Sequence, residues 1–280
     1  MSHDPVAVAL AEDIGQGDVT SKYFIPSDLH GSARIFAKEV AVVAGVETVG
    51  EVFQRVDPGL SVEIVTESGQ VAMAGQTVLR VAGTCRSILT AERVALNFLQ
   101  RLSAVATLTR RFVDAVDGTP AVILDTRKTT PGLRALEKAA VRAGGGRNHR
   151  FGLYDMVMVK DNHLAAGTES YVETLRERLG LFRAEHPETK VEVEADTLEQ
   201  VQAFMGIPGI GVILLDNMTT GQLREAVKMR GGSAIKLEAS GGVSLETVRE
   251  IALTGVDFIS VGALTHSAGS IDFSLELAPA

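Results

Sequence analysis

The chain has 280 residues, 45% hydrophobic and 22% charged, which is the balance of an ordinary globular protein of one large or two ordinary domains. A disulfide-stapled module is excluded, since Cys85 is the sole cysteine, and a reducing compartment is the natural one. A net charge of −8 argues against general affinity for nucleic acid or anionic membrane; with no leader-like start and no apolar run of ~20 residues, the expectation is a cytoplasmic protein.

Short β-like runs come first, over Ala33–Lys38, Val40–Ala44, Ser61–Thr66 and Thr77–Ala82, with turn residues such as Asp57-Pro58-Gly59 and Ala74-Gly75-Gln76 between them. They predict a small sheet, with a helical piece near Val46–Val56. Leu99, Leu102, Val105, Phe112 and Val116 recur at helical spacing within Ser87–Val116, one face of a long helix. Gly118-Thr119-Pro120 stops it and marks a seam, giving an N-terminal domain of residues 1–118.

From Ala121 the texture changes. Apolar runs at Ala121–Leu124, Met156–Val159, Val191–Val193, Val212–Leu215, Ala234–Leu237 and Phe258–Val261 end in polar residues or glycine, and helical stretches fit Glu169–Glu185, Leu198–Met205, Thr220–Met229 and Ser244–Leu253. Runs without alternation suit strands covered on both faces, as in a parallel sheet of βα units. Six strands are fewer than the eight of a full barrel, so an incomplete α/β barrel over 119–266 is predicted, with the tail 267–280 returning to the N-terminal domain.

Ligands collect beyond the carboxyl ends of parallel strands. There the sequence places Asp125-Thr126-Arg127-Lys128, Lys160-Asp161-Asn162-His163, Glu194, Asp216-Asn217, Glu238-Ala239-Ser240-Gly241-Gly242 and Gly262-Ala263. From Arg127 to Lys160 there are eight Lys or Arg against two acids. Part of this stretch, Arg134, Lys138 and Arg142, has the spacing of a solvated helix face. Arg147, His149 and Arg150 instead follow Gly144-Gly145-Gly146, where a sharp turn can focus donors on one anion. Glu194 and Asp216 follow consecutive strands, so they should sit side by side, to hold Mg²⁺ through water, bind sugar hydroxyls or offset positive charge on a reacting carbon. Ser240-Gly241-Gly242-Val243-Ser244 should join a strand to a helix and receive phosphate on its backbone. Zinc spacing, a nucleophile elbow, a Walker loop and a strand-borne G-x-G-x-x-G are absent from the sequence.

Several blocks together are distinctive: Asp13-Ile14-Gly15-x-Gly17-Asp18-Val19-Thr20, Ala91-Glu92-Arg93-x-x-Leu96-Asn97, Asp125 to Arg134, Gly146-x-Asn148-His149-Arg150 and Lys160-Asp161-Asn162-His163. Val191-Glu192-Val193-Glu194, Leu215-Asp216-Asn217, Glu238-Ala239-Ser240-Gly241 and Ser260-Val261-Gly262-Ala263-Leu264-Thr265 follow in order. The set resembles the quinolinate phosphoribosyltransferases over nearly the whole chain. That resemblance implies an N-terminal α/β sandwich beside the incomplete barrel. It also implies transfer of phosphoribose from 5-phosphoribosyl 1-pyrophosphate to quinolinate, releasing pyrophosphate and CO₂ and giving nicotinate mononucleotide for NAD synthesis.

By the same resemblance the enzyme is a homodimer or larger homo-oligomer in which Arg93 crosses the interface to the quinolinate site. Arg127, His149, Arg150 and Lys160 would bind the dicarboxylate, with Lys128 between it and the donor. Glu194 and Asp216 would hold ribose and hydrated Mg²⁺, and Lys128, Glu194 and Asp216 form the catalytic set. Ser240, Gly241, Gly242, Val261, Gly262 and Ala263 would receive phosphate, with His266 a further donor; relatives often carry Asn at position 242, so Gly242 would keep only the backbone contact. The rival readings are a related phosphoribosyltransferase for another acid, of nicotinate or molybdenum-operon type, a barrel lyase forming a Schiff base on Lys160, and a non-catalytic barrel scaffold.

Overall fold

The computed structural model describes residues 4–160, 163 and 171–280, and the chain divides into two compact units. The first contains the chain up to Arg110, Thr129–Gly146 and Leu264–Ala280; the second contains Arg111–Lys128 and Arg147–Ala263. The division is therefore not one cut at 118. Segment 129–146, expected in the barrel, belongs to the first unit because buried Glu137 ties it there. The Glu137 carboxylate accepts from the Thr130 N–H and hydroxyl and from the Arg101 guanidinium.

Two helices that the sequence reading passed over open the first unit, α1 (Pro5–Ile14) and α2 (Val19–Phe24). An aspartate starts each: Asp4 accepts from the Ala7 N–H at 3.0 Å just ahead of Pro5, and Asp18 from the Ser21 N–H at 2.9 Å, satisfying donors that a first turn leaves open. β1 (His30–Ala37), β3 (Ser61–Ile64), β5 (Thr77–Thr84) and β12 (Phe273–Pro279) form an antiparallel sheet in the order β12-β1-β5-β3. The C-terminal strand pairs with β1 from Gly31↔Pro279 to Ala37↔Phe273. β2 (Ala41–Val42) and β4 (Val71–Ala72) make a separate two-residue ladder, too short for β4 to register as an apolar run. Helix α3 (Val46–Val56) and the 31-residue α4 (Cys85–Ala115) bury Val49, Phe53, Ile88, Ala91 and Leu99 with Ile35, Leu79 and Val81 of the sheet.

The second unit is a six-stranded parallel sheet in the order β6-β11-β10-β9-β8-β7, made of β6 (Val122–Leu124), β7 (Val157–Val159), β8 (Val191–Ala195), β9 (Val212–Asp216), β10 (Lys236–Ser240) and β11 (Phe258–Ser260). Each strand neighbours its successor except that β6 meets β11 rather than β7. This is a barrel left open between its first two strands, where a lone parallel bridge, Leu124↔Arg147, adds one rung beside β6. Between strands run α6 (Tyr171–Glu185), α7 (Leu198–Met205), α8 (Thr220–Arg230) and α9 (Val248–Ala252). Thr197 with Gln200, and Thr219 with Gln222, close capping boxes on α7 and α8. α5 (Arg134–Ala143) belongs to the first unit, and α10 (Ala263–His266) is a single turn. Glu169, expected to begin a helix, lies outside the described residues.

Two expectations shift. The helix read at Ser244–Leu253 is only Val248–Ala252, because residues 241–247 form turns. β10 starts at Lys236 rather than Ala234 and continues to Ser240, so Glu238 lies inside a strand instead of beyond it.

Side chains along the barrel strands alternate. Ile123, Val193, Ile213, Leu215, Leu237 and Ile259 are all essentially inaccessible, and they supply the apolar face. The intervening positions carry Glu192, Glu194, Asp216, Glu238, Ser240 and Ser260. The register sets Glu194, Leu214 and Glu238 in one row, and Asp216 beside Ser240. Paired residues point to the same side of a sheet, so these polar groups share one face.

Candidate active site

Asp125, one residue beyond β6, is fully buried. Its carboxylate accepts from the His149 N–H at 2.8 Å and from the Asn148 amide at 2.6 Å. Asp125 is thus a clamp that fixes segment 147–150 against the end of β6. The His149 ring continues the connection: Nδ1 accepts from the Arg150 N–H at 2.7 Å, and Nε2 lies 2.9 Å from Glu192 and 3.6 Å from Glu238. β9 separates the strands carrying these glutamates and their rows are two residues apart, so one ring nitrogen approaches both only because the two side chains lean toward each other.

Above this floor stand cations. Arg127 and Arg150 are both half-buried. Burial lowers the pKa of Arg150, and the neighbouring Arg127 charge lowers it further, against opposing pulls from Glu192 and Asp155. An anion shared by the two guanidiniums would relieve that repulsion. Lys160, just past β7, bonds Glu194, whose carboxylate is almost fully buried. Lys128 is exposed, its N–H turned to the Thr126 hydroxyl. Asp161 and Asn162 lie outside the described residues; exposed His163 accepts the Lys160 N–H on Nδ1 at 2.9 Å.

Asp216 ends β9, half-exposed, and accepts from the Asn217 amide at 2.7 Å. Asn217 is the one non-glycine with positive φ (+51°) among the described residues, and its N–H donates to the Ser240 carbonyl at 2.9 Å. Its side chain lies over Gly241, where a Cβ would fall 2.1 Å from Asn217 Oδ1 at a φ of +95°. Only glycine fits there. Glu194 and Asp216, on adjacent strands and one face, offer hard carboxylate oxygens of the kind that suit a hydrated Mg²⁺.

Comparison with known proteins decides the family. The model of the quinolinate phosphoribosyl transferase N-terminal domain matches residues 18–103, and that of the C-terminal domain matches residues 105–276. The chain belongs to the quinolinate phosphoribosyltransferase family. It is 44% identical over 289 residues to the chloroplastic nicotinate-nucleotide pyrophosphorylase (carboxylating) of Arabidopsis thaliana, covering 97% of this chain and 81% of that protein. With the mitochondrial quinolinate phosphoribosyltransferase (decarboxylating) 2b of Nicotiana tabacum it shares 42% identity over 294 residues, 96% of this chain and 80% of that one. The crystal structure of NadC from Streptococcus pyogenes superposes with a TM-score of 0.91 at 37% identity, covering 98% of this chain and 95% of that one.

Among the residues that the quinolinate phosphoribosyltransferase resemblance singled out, Arg127, His149, Arg150, Lys160, Glu194, Asp216, Ser240 and Gly241 are connected through the polar face and its loops. Gly242 has positive φ and open space around its Cα. Val261 is buried, and Gly262 and Ala263 are half-buried where β11 ends and α10 begins. The Ser240-Gly241-Gly242 turn is followed only by the five-residue α9 rather than the longer helix expected from Ser244. Arg93 and His266 belong to the first unit: Arg93 is exposed on α4 with Glu92 3.9 Å away, and exposed His266 is bonded to the Ser267 hydroxyl at 2.6 Å.

Asn217 and Glu238 stood among the expected strand-end residues without an assigned role, whereas Glu192 was not singled out. The alternation Val191-Glu192-Val193-Glu194 was the available signal, since residues two apart in a strand share a face. Among the described residues no helix is long and apolar enough to cross a membrane.

Proposed function

We propose that this chain transfers the phosphoribosyl group of 5-phosphoribosyl 1-pyrophosphate to quinolinate, with release of pyrophosphate and CO₂, to give nicotinate mononucleotide for NAD synthesis. The observation that carries the reading is Arg150 anchored through His149 to Glu192, on the strand next to β9 and the same face that bears Glu194 and Asp216. A dicarboxylate answers the mutual repulsion of the guanidiniums, and Lys160 adds a third cation at the edge of the same face. His149 lines this pocket from beneath, and Lys128 stands between acceptor and donor. The carboxylates are where the sugar would be. Held by its acid groups, the pyridine nitrogen is aligned to attack the anomeric carbon as pyrophosphate leaves. Glu194 and Asp216 stabilise the positive charge that then develops on the ribose. When bound, Mg²⁺ held through water by these two carboxylates would offset charge on the departing pyrophosphate. When the adjacent carboxylate departs as CO₂ the electron pair stays on the ring carbon, stabilised by the neighbouring pyridinium charge, and that carbon takes up a proton. Ser240, Gly241, Gly242, Val261, Gly262 and Ala263 present backbone to phosphate, and His266 adds a donor.

The functional unit is a homodimer or larger homo-oligomer, and Arg93 is supplied to each quinolinate pocket by another copy. Its exposed position on α4 leaves the guanidinium available for that contact. A Schiff-base role for Lys160 is disfavoured by its ion pair with Glu194, the reverse of the apolar pocket that activates an amine.

Incubation with the pyrophosphate donor, Mg²⁺ and either quinolinate or nicotinate tests the reading. CO₂ and nicotinate mononucleotide should appear in equal amounts from quinolinate. Nucleotide formed from nicotinate alone would transfer the protein to the rival phosphoribosyltransferase reading, and the absence of nucleotide from both would overturn the proposal.

A further inference from the structure

Two buried acids are not used by that chemistry. Glu192 and Glu238 are 1% and 2% exposed, and each has one carboxylate oxygen, Oε1, without a hydrogen-bond partner. Both approach the same atom, His149 Nε2. Buried carboxyl groups at the floor of a barrel are costly, so their convergence calls for a compensating role.

With His149, these acids have the composition of a metal site. The hydrogen bonding opposes that use. Nδ1 accepts the Arg150 N–H, which places the ring proton on Nε2, the very atom facing the carboxylates. A metal would need that nitrogen bare, and the guanidinium charges of Arg127 and Arg150 stand close by. The geometry instead forms a chain of contacts from the barrel floor through the imidazole to the backbone of Arg150.

We infer that Glu192, with Glu238 beside it, is a positioning residue for the acceptor acid: by holding the His149 ring it fixes Arg150 and aims its guanidinium at the quinolinate carboxylate. This rests on the proposed reaction. Three contacts converge on two adjacent residues. Asp125 fixes the His149 backbone, Glu192 fixes its ring with Glu238 3.6 Å from the same nitrogen, and the other ring nitrogen fixes the Arg150 N–H. Losing Glu192 would release the ring. The consequence falls on acceptor binding, because the donor-side groups Asp216, Asn217, Ser240 and Gly241 hold one another independently.

Steady-state kinetics of Glu192→Leu, Glu238→Leu, His149→Ala and the double variant Glu192→Leu/His149→Ala provide the test. Glu192→Leu and His149→Ala should each raise the quinolinate KM about tenfold or more with the donor KM within about threefold, and Glu238→Leu, which removes no hydrogen bond to the ring, should raise it less. Glu192→Gln, which keeps an oxygen acceptor for Nε2, should recover most of the loss. The double variant should be no worse than His149→Ala alone, because both act along one path. Multiplying losses, or equal rises in both substrates' KM, would overturn the inference. Histidine ¹⁵N spectra of the wild-type protein supply a check that survives a misfolded variant: His149 should carry its proton on Nε2 at neutral pH, and a proton on Nδ1 would overturn the inference. Failure of the wild-type protein to convert quinolinate would instead strike the proposed function, leaving the imidazole measurement to judge the floor by itself.

Discussion

Glu238 carries a thermodynamic signature of its own. Burial, then the neighbouring Glu192 charge, raises its pKa from 4.5 to about 8. In the unfolded chain the same carboxyl titrates near its ordinary value, so between these two pH values the folded protein holds one extra proton. Stability contributed through this group is present below about pH 4.5 and falls as pH rises toward 8, by up to about 1.4 kcal/mol per pH unit. Glu238→Gln has no such group. Urea unfolding at pH 5, 6.5 and 8 should show the variant gaining on the wild-type protein at each step, whatever the activity does; parallel curves would show that Glu238 does not titrate in this window. Arg150 makes the complementary case. Arg150→Ala removes a cation facing a desolvated carboxylate and should cost about 2–5 kcal/mol of quinolinate binding, read by titration calorimetry, while donor binding is preserved.

At the level of elements, the turns after β9 and β10 lock together. Gly241→Ala would drive a methyl into the Asn217 side chain at a left-handed φ, so the turn holding Asp216 must shift, at a backbone cost of about 1–2 kcal/mol. The donor KM should rise about tenfold with the quinolinate dissociation constant unchanged, and equal effects on both would separate Gly241 from Asp216. This interlock was not legible in the sequence. Gly241-Gly242 read as a phosphate loop ahead of a helix, whereas the first glycine is required by the side chain of Asn217. Elements with strong periodicity were readable: α3 was expected at its own limits, and Leu198–Met205 proved to be α7. α1 and α2 were passed over although Asp4 and Asp18 announce them, because capping aspartates also occur in plain turns. Glu238 was placed beyond its strand because strand boundaries were drawn by apolar runs, and a glutamate inside a strand ends such a run too early; Glu192 lay within the run Val191–Val193 and was left without a role.

On the scale of the molecule, the shared pocket predicts complementation. Arg93→Ala and Arg150→Ala should each be nearly inactive. If every site takes Arg150 from one copy and Arg93 from another, mixed dimers have one site with both defects and one with neither. Equal mixing with subunit exchange should therefore restore about a quarter of wild-type activity, and a mixture as inactive as its parents would place Arg93 outside the shared pocket.

The pairing of β12 with β1 has a bearing on biosynthesis. The strand that covers one edge of β1 follows it by about 240 residues, and at about 5–20 residues per second the wait is roughly 10–50 s. Throughout that interval the nascent sheet displays an uncovered row of amide and carbonyl groups, the kind of template that recruits stray strands, so the newborn polypeptide depends on shielding until β12 emerges.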